Sequence, residues 1–252
     1  MIPARLIARL DIKGHNVVKG VHLEGLRVVG QPGDLARRYY GEGIDEIVFM
    51  DVVASLYGRN NILSVVEEAA RDVFIPLTVG GGIRSLDDIV AVLRSGADKV
   101  AINTAAVGRP EFLREAAHAF GSQCVVLSVE AKRRGPGKWE ALTDNGRELT
   151  GVDVLEWVVE AERLGAGEIL LTSVDQEGTR KGFDMELLNA VRSRVRVPVI
   201  ACGGAGSPEH VADVFATASA DAVCCADIFH YGRHTVAQVK DAVEARGIEV
   251  RR

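Results

Sequence analysis

Eight apolar runs rich in β-branched residues recur along this 252-residue chain, and segments of helical period separate them. The runs are RLIARLD (5–11), EIVFMDV (46–52), FIPLTV (74–79), KVAIN (99–103), QCVVLSVE (123–130), EILLTSV (168–174), VPVIAC (197–202) and DAVCCA (221–226). Each is nearly continuous in apolar residues, as parallel strands covered on both faces require. The intervening segments, among them GDLARRYYGEG, NNILSVVEEAARDV, LDDIVAVLRSG and VDVLEWVVEAERLG, repeat their apolar residues at three and four, the mark of amphipathic helices. With no Pro/Gly-rich linker to divide it, the alternation predicts an α/β chain folded as one (β/α)8 TIM barrel over 1–252. A doubly wound open sheet is the alternative.

The second half repeats the first. IPLTVGGGIRSLDD (75–88) aligns with VPVIACGGAGSPEH (197–210), placing Pro76 on Pro198, Gly81 on Gly203 and Ser85 on Ser207. GADKVAINT (96–104) aligns with SADAVCCAD (219–227), and EIVFMD (46–51) with EILLTS (168–173). Two half-barrels, about 1–120 and 121–252, are expected. In that alignment Asp11 falls on Glu130. The first and fifth strands of a closed barrel lie opposite each other, so both carboxylates are expected at the mouth where such barrels carry their chemistry.

Two acids facing one cavity can divide general acid and general base work when their surroundings separate their pKa values. The bland alternative is that each caps or bridges a structural group. Asp51 also ends a run, but its repeat partner is Ser173. VGGGIRS after the third run and CGGAG after the seventh suit backbone N–H groups that approach an oxyanion, with a helix start beyond. Tight strand-to-helix turns would use the same glycines. Asn103 and Thr104 can add side-chain donors to a phosphate held near Gly82. Lys19 is expected in the loop after the first strand, where it reaches an anionic substrate or stays solvated.

A net charge of −5 argues against sequence-independent nucleic-acid binding, which needs a basic face. No run approaches a membrane span, and no signal peptide is visible. Cys124, Cys202, Cys224 and Cys225 have no paired or metal-like spacing, so buried free thiols in a reducing cytoplasm are expected, with no metal and no cofactor.

Over essentially its whole length the chain resembles the cyclase subunit family of imidazole glycerol phosphate synthase, from histidine biosynthesis. The matching words are VVKG (17–20), FIPLTVGGGIRS (74–85), GADKVAINTAAV (96–107), FGSQCVV (120–126), LGAGEILLTSVD (164–175) and FHYG (229–232). The resemblance implies a glutaminase partner, a heterodimer, and ammonia that travels through the barrel to a ribulosyl-formimino carboxamide nucleotide at the far mouth. It implies acid and base roles for Asp11 and Glu130, and a catalytic-mouth place for Lys19 and Thr172. One phosphate falls at Gly82, Asn103 and Thr104, the other at Gly178, Gly204, Ala226 and Asp227. Arg5, Glu46, Lys99 and Glu168 match a charged ring at the ammonia entrance, and Asp98 matches a residue that meets the partner.

Four residues at the mouth depart from the family pattern. Glu130 and Glu177 stand where the family has aspartate, Arg9 where it has cysteine, and Asp227 where a serine helps hold the second phosphate. A misplacement of ~1 Å can cost roughly 100-fold in rate, so the longer Glu130 matters. A carboxylate within ~4 Å of a phosphate charge costs on the order of 4 kcal/mol at an effective dielectric near 20. Asp227 therefore either points away or removes the second phosphate site. The alternatives are a related synthase that delivers ammonia to another, sugar-derived acceptor, a non-catalytic scaffold that activates a glutaminase, and a sugar-phosphate isomerase that needs no ammonia.

Overall fold

The computed structural model describes residues 3–54, 62–218 and 220–252. Positions 60 and 61 of one expected helical segment, and position 219 of the repeat, lie outside the described residues. Twelve strands run through the described residues: β1 (Arg5–Lys13), β2 (Asn16–Val21), β3 (Glu24–Gly30), β4 (Glu46–Asp51), β5 (Leu77–Gly80), β6 (Lys99–Ile102), β7 (Val125–Gly135), β8 (Lys138–Thr143), β9 (Glu148–Asp153), β10 (Glu168–Ser173), β11 (Val199–Cys202) and β12 (Ala222–Cys225). Eight of them pair in parallel in the order β1-β4-β5-β6-β7-β10-β11-β12, and β12 pairs back to β1. The sheet is a closed cylinder, and the open-sheet alternative is excluded. β1 and β7 stand four strands apart on either path, hence opposite each other.

Period-two alternation sorts each strand between two cores. On β1, Leu6, Ala8, Leu10 and Ile12 pack outward against the helices, while Ile7 joins Val48, Val126, Leu170, Ile200 and Ala222 inside the bore. Arg5, Arg9 and Asp11 share the parity of Ile7 and so face inward.

Among the described residues the helices are α1 (Pro32–Gly41), α2 (Leu63–Asp72), α3 (Leu86–Arg94), α4 (Thr104–Gly108), α5 (Glu111–Phe120), α6 (Val154–Arg163), α7 (Met185–Arg192), α8 (Pro208–Thr217), α9 (Asp227–His230) and α10 (Val236–Glu244). The repeated serines start two of them. Ser85 accepts from the Asp88 N–H and forms a capping box on α3, and Ser207 accepts from the His210 N–H at α8. No helix among the described residues is long and apolar enough to cross a membrane.

Two features were not expected. β2–β3 and β8–β9 are antiparallel hairpins that extend β1 and β7, one in each half. The tip of β2–β3 turns through His22 and Leu23, both with positive φ, and reaches the other half. There Leu23 packs on Leu142 and Val174, and the His22 N–H donates to the Glu177 carbonyl at 2.9 Å. Lys19, expected in a loop after the first strand, lies instead on β2 and is buried, so of its two alternatives the solvated one is excluded.

Candidate active site

At the N-terminal end of the bore the four expected ring residues close a square of ion pairs. Arg5 donates to Glu46 at 2.8 Å and also to Glu168, while Lys99 pairs with Glu46 at 3.1 Å and with Glu168 at 2.9 Å. Burial alone would raise the Glu46 carboxyl, but Arg5 and Lys99 outweigh it and hold it below its ordinary value. Arg5, Glu46 and Glu168 of the square line a recess of about 640 Å³ together with Pro76, Pro198 and Ile248, among others. Asp98, next to Lys99 in the chain, is exposed, its carboxylate accepting from the Leu77 N–H at 2.8 Å.

Above the apolar part of the bore lies Arg9, only 2 % exposed. Its Nε donates to Asp11 at 2.7 Å, and its Nη1 to the Thr172 hydroxyl at 3.1 Å and to Cys202 Sγ at 3.7 Å. Burial pushes the Asp11 carboxyl up, yet Arg9 and then Lys19 more than reverse it, so Asp11 titrates below its ordinary range. Opposite, Glu130 accepts from Asn103 Nδ2 at 3.1 Å and from the Gly146 N–H at 2.8 Å. Burial nevertheless pushes Glu130 up to about 7, and Arg9 and Gly146 compensate only in part. The two acids influence each other, and their acidities are well separated.

The first glycine loop opens on a cavity of about 260 Å³ lined by Gly81, Gly82, Asn103, Thr104, Glu130 and Asp51, among others. Gly82 has φ +73, and a Cβ there would stand 2.7 Å from the Ala54 methyl. Asn103 does not offer its amide hydrogens to this cavity as expected. It spends them on Glu130 and on the Leu142 carbonyl at 3.0 Å, and so positions the acid. Thr104 accepts from the Asp144 N–H at 3.2 Å, which leaves its hydroxyl hydrogen free to donate. Asp51 accepts from the Val53 N–H, and burial raises its pKa.

The second glycine loop opens on about 20 Å³, lined by Gly178, Gly203, Gly204, Ala226, Asp227 and Cys202, among others, which is room for about one water molecule. Lys19, Gly178 and Asp227 also line a neighbouring recess of about 600 Å³, with Arg180 and Arg233. Gly204 has φ +107, and a Cβ would meet the Gly182 carbonyl oxygen at 2.0 Å. The buried Lys19 and Glu177 are ion-paired across the entrance. Asp227 turns its carboxylate to Arg233 Nε at 3.2 Å. Of the two possibilities for Asp227, its side chain is thus committed to a neighbouring arginine.

The sequence reading missed several mouth residues. Asp144 and Asn145 line the first cavity from the tip of β8–β9, and Gly146 binds Glu130. Asn145-Gly146 is a strong hairpin signal, and all three tip residues have positive φ. His230 is buried with Nδ1 2.6 Å from the Tyr39 hydroxyl, and burial pushes it down to about 4, so it is neutral. Among the described residues no group of three or more His, Cys, Asp or Glu is placed to hold a metal. All four cysteines are free and buried.

Residues 5–235 match the model of the histidine biosynthesis protein family. The chain is also 64 % identical, over 209 residues, to imidazole glycerol phosphate synthase subunit HisF of Legionella pneumophila. That match covers 83 % of this chain and 99 % of the relative.

Proposed function

Because this chain belongs to the histidine biosynthesis protein family, we propose that it is the cyclase subunit of an imidazole glycerol phosphate synthase. It takes ammonia from a glutaminase partner and converts a ribulosyl-formimino aminoimidazole carboxamide nucleotide into imidazole glycerol phosphate and aminoimidazole carboxamide ribotide. The partner docks in a heterodimer over the ring face, beside Asp98, and ammonia enters where Arg5, Glu46, Lys99 and Glu168 meet. The setting is the cytoplasm.

One observation carries the chemistry. Asp11 and Glu130 face inward from opposite strands at the mouth, with acidities pushed to either side of the usual carboxylate value. At neutral pH Asp11 is the standing base, and Glu130 holds a proton often enough to be the acid. Asn103 and the Gly146 N–H fix the Glu130 carboxyl, and Arg9 fixes that of Asp11. The Gly82 and Thr104 cavity takes one phosphate end. Gly178, Gly204, Ala226 and Asp227 border the other, where Lys19 supplies positive charge next to Asp11. Identity of 64 % to a synthase subunit over nearly its whole length favours this reading over a different acceptor, a bare scaffold or an isomerase.

The test is turnover of that nucleotide by the purified chain with ammonium salts, then with glutamine and the partner. Asp11→Asn is expected to lower kcat by about 10² to 10⁴-fold while the nucleotide still binds. Wild-type protein that yields no imidazole glycerol phosphate from either nitrogen source refutes the assignment.

A further inference from the structure

Between the ion-pair square and the mouth, the inward positions of β1 read Arg5, Ile7, Arg9 and Asp11, each step about 6.6 Å along the strand. The lower bore is apolar: Ile7, Val48, Val126, Leu170, Ile200 and Ala222. Its upper end is crossed by the Arg9 side chain. Arg9 leaves β1, passes β12, and reaches Cys202 on β11 and Thr172 on β10. A solute that rises through the bore therefore meets a permanent guanidinium before it meets Asp11. A second cation, Lys19, stands close enough to Arg9 that each disfavours the other's charge. The groups facing Arg9 are Asp11, Lys19, Glu130 and the thiols of Cys202 and Cys224. Packing does not call for such a cation, since an apolar side chain of similar volume would fill the bore without the desolvation penalty.

We propose that Arg9 is a charge filter on the ammonia route: its fixed cation, set across the bore just below Asp11, passes neutral ammonia and turns ammonium back. The inference rests on the reading that ammonia enters through the Arg5, Glu46, Lys99 and Glu168 square. Its chemical content is selectivity. Neutral ammonia is the nucleophile, and an ammonium ion lodged against the Asp11 carboxylate would neither attack nor leave room for the substrate. Arg9 occupies the position such a cation would take, because its Nε already makes the ion pair with Asp11.

The test replaces Arg9 and offers cations of ammonium's size. Arg9→Met keeps length and removes charge, and Arg9→Lys keeps charge. Crystals of Arg9→Met soaked in rubidium chloride are expected to show anomalous density beside Asp11, and crystals of the wild type and Arg9→Lys none. In solution, potassium chloride should inhibit synthase turnover by Arg9→Met roughly tenfold relative to choline chloride of equal ionic strength, with the other two indifferent. Should Arg9→Met fold poorly, Arg9→Gln takes its place, and its melting temperature should rise with potassium but not with choline. Arg9→Met without rubidium density, or wild-type protein as sensitive to potassium as the variant, overturns the proposal. If the wild type makes no imidazole glycerol phosphate, the functional reading fails by itself, and the rubidium and melting experiments still report on the filter.

Discussion

The two glycine loops at the mouth are close copies in sequence, yet they frame different sites. Beside Gly81 and Gly82 lies a cavity of about 260 Å³ with Thr104 at its edge; beside Gly203 and Gly204 there is about 20 Å³, and the larger space of about 600 Å³ lies farther out, past Lys19, Gly178 and Asp227. The backbone does not make the difference, because all four glycines have positive φ and both loops lead to a serine-capped helix. Side chains from elsewhere make it. Lys19 and Glu177 pair across the second loop, and Asp227 is tied to Arg233. The corresponding place in the first half carries Thr104, whose hydroxyl can still donate. A duplicated backbone thus supplies two equal frames, and a few charged residues decide which one is open.

The contrast can be broken from the second side first. Lys19→Met leaves Glu177 buried without its cation and should destabilise the fold by about 3–5 kcal/mol in urea unfolding. Thr104→Val on the first side should cost about 1 kcal/mol or less. The double variant Lys19→Met/Glu177→Gln should recover most of the loss. Equal effects of the two single variants would mean that the ion pair does not define the second side.

The acid on the first side offers a pH handle. Folding raises Glu130 from its ordinary 4.5 to about 7. Its protonated form is therefore favoured in the native state. No penalty exists below about pH 4.5; it grows as pH rises and levels off above about 7, where it reaches roughly 3 kcal/mol. Glu130→Gln should remove this slope, so its stability relative to wild type should increase between pH 5 and 7.5. The measurement is urea unfolding across that range, and parallel curves would show that Glu130 titrates normally.

The smallest effect concerns Asp227. Asp227→Ser removes a negative charge and frees Arg233, so inorganic phosphate should bind the second side about tenfold more tightly. Phosphate titration followed by NMR would show the gain at Gly203 and Gly204. A gain at Gly82 instead would reverse the comparison.

Much of the architecture was legible in the chain because it is local. Two-sided apolar strands, helical periods and the repeated serines each lie within about a dozen residues, whereas the inward direction of Arg9 was settled only by the closed barrel. The hairpins were legible in part, through Asn145-Gly146, although the sequence reading passed over them. Lys19 was legible as a candidate at the mouth, but its burial and its ion pair were not. Its partner Glu177 is remote in sequence, and only closure of the barrel and the fold-over of β2–β3 bring the two together. The same holds for Asn103, whose amide turns to Glu130 and Leu142 once β8 is in place.

By itself, then, the sequence determined an eight-stranded α/β barrel with two acids at one mouth, and the charged ring at the other end came only through the family resemblance. Alternation along a strand is a property of the backbone and needs no distant partner. Tertiary structure alone decided how far apart the two acids titrate, which loop carries the larger cavity, and that Arg9 lies across the bore. Those outcomes depend on burial and on charges brought together from strands far apart in the chain, and a carboxylate's acidity belongs to its surroundings rather than to its place in a motif.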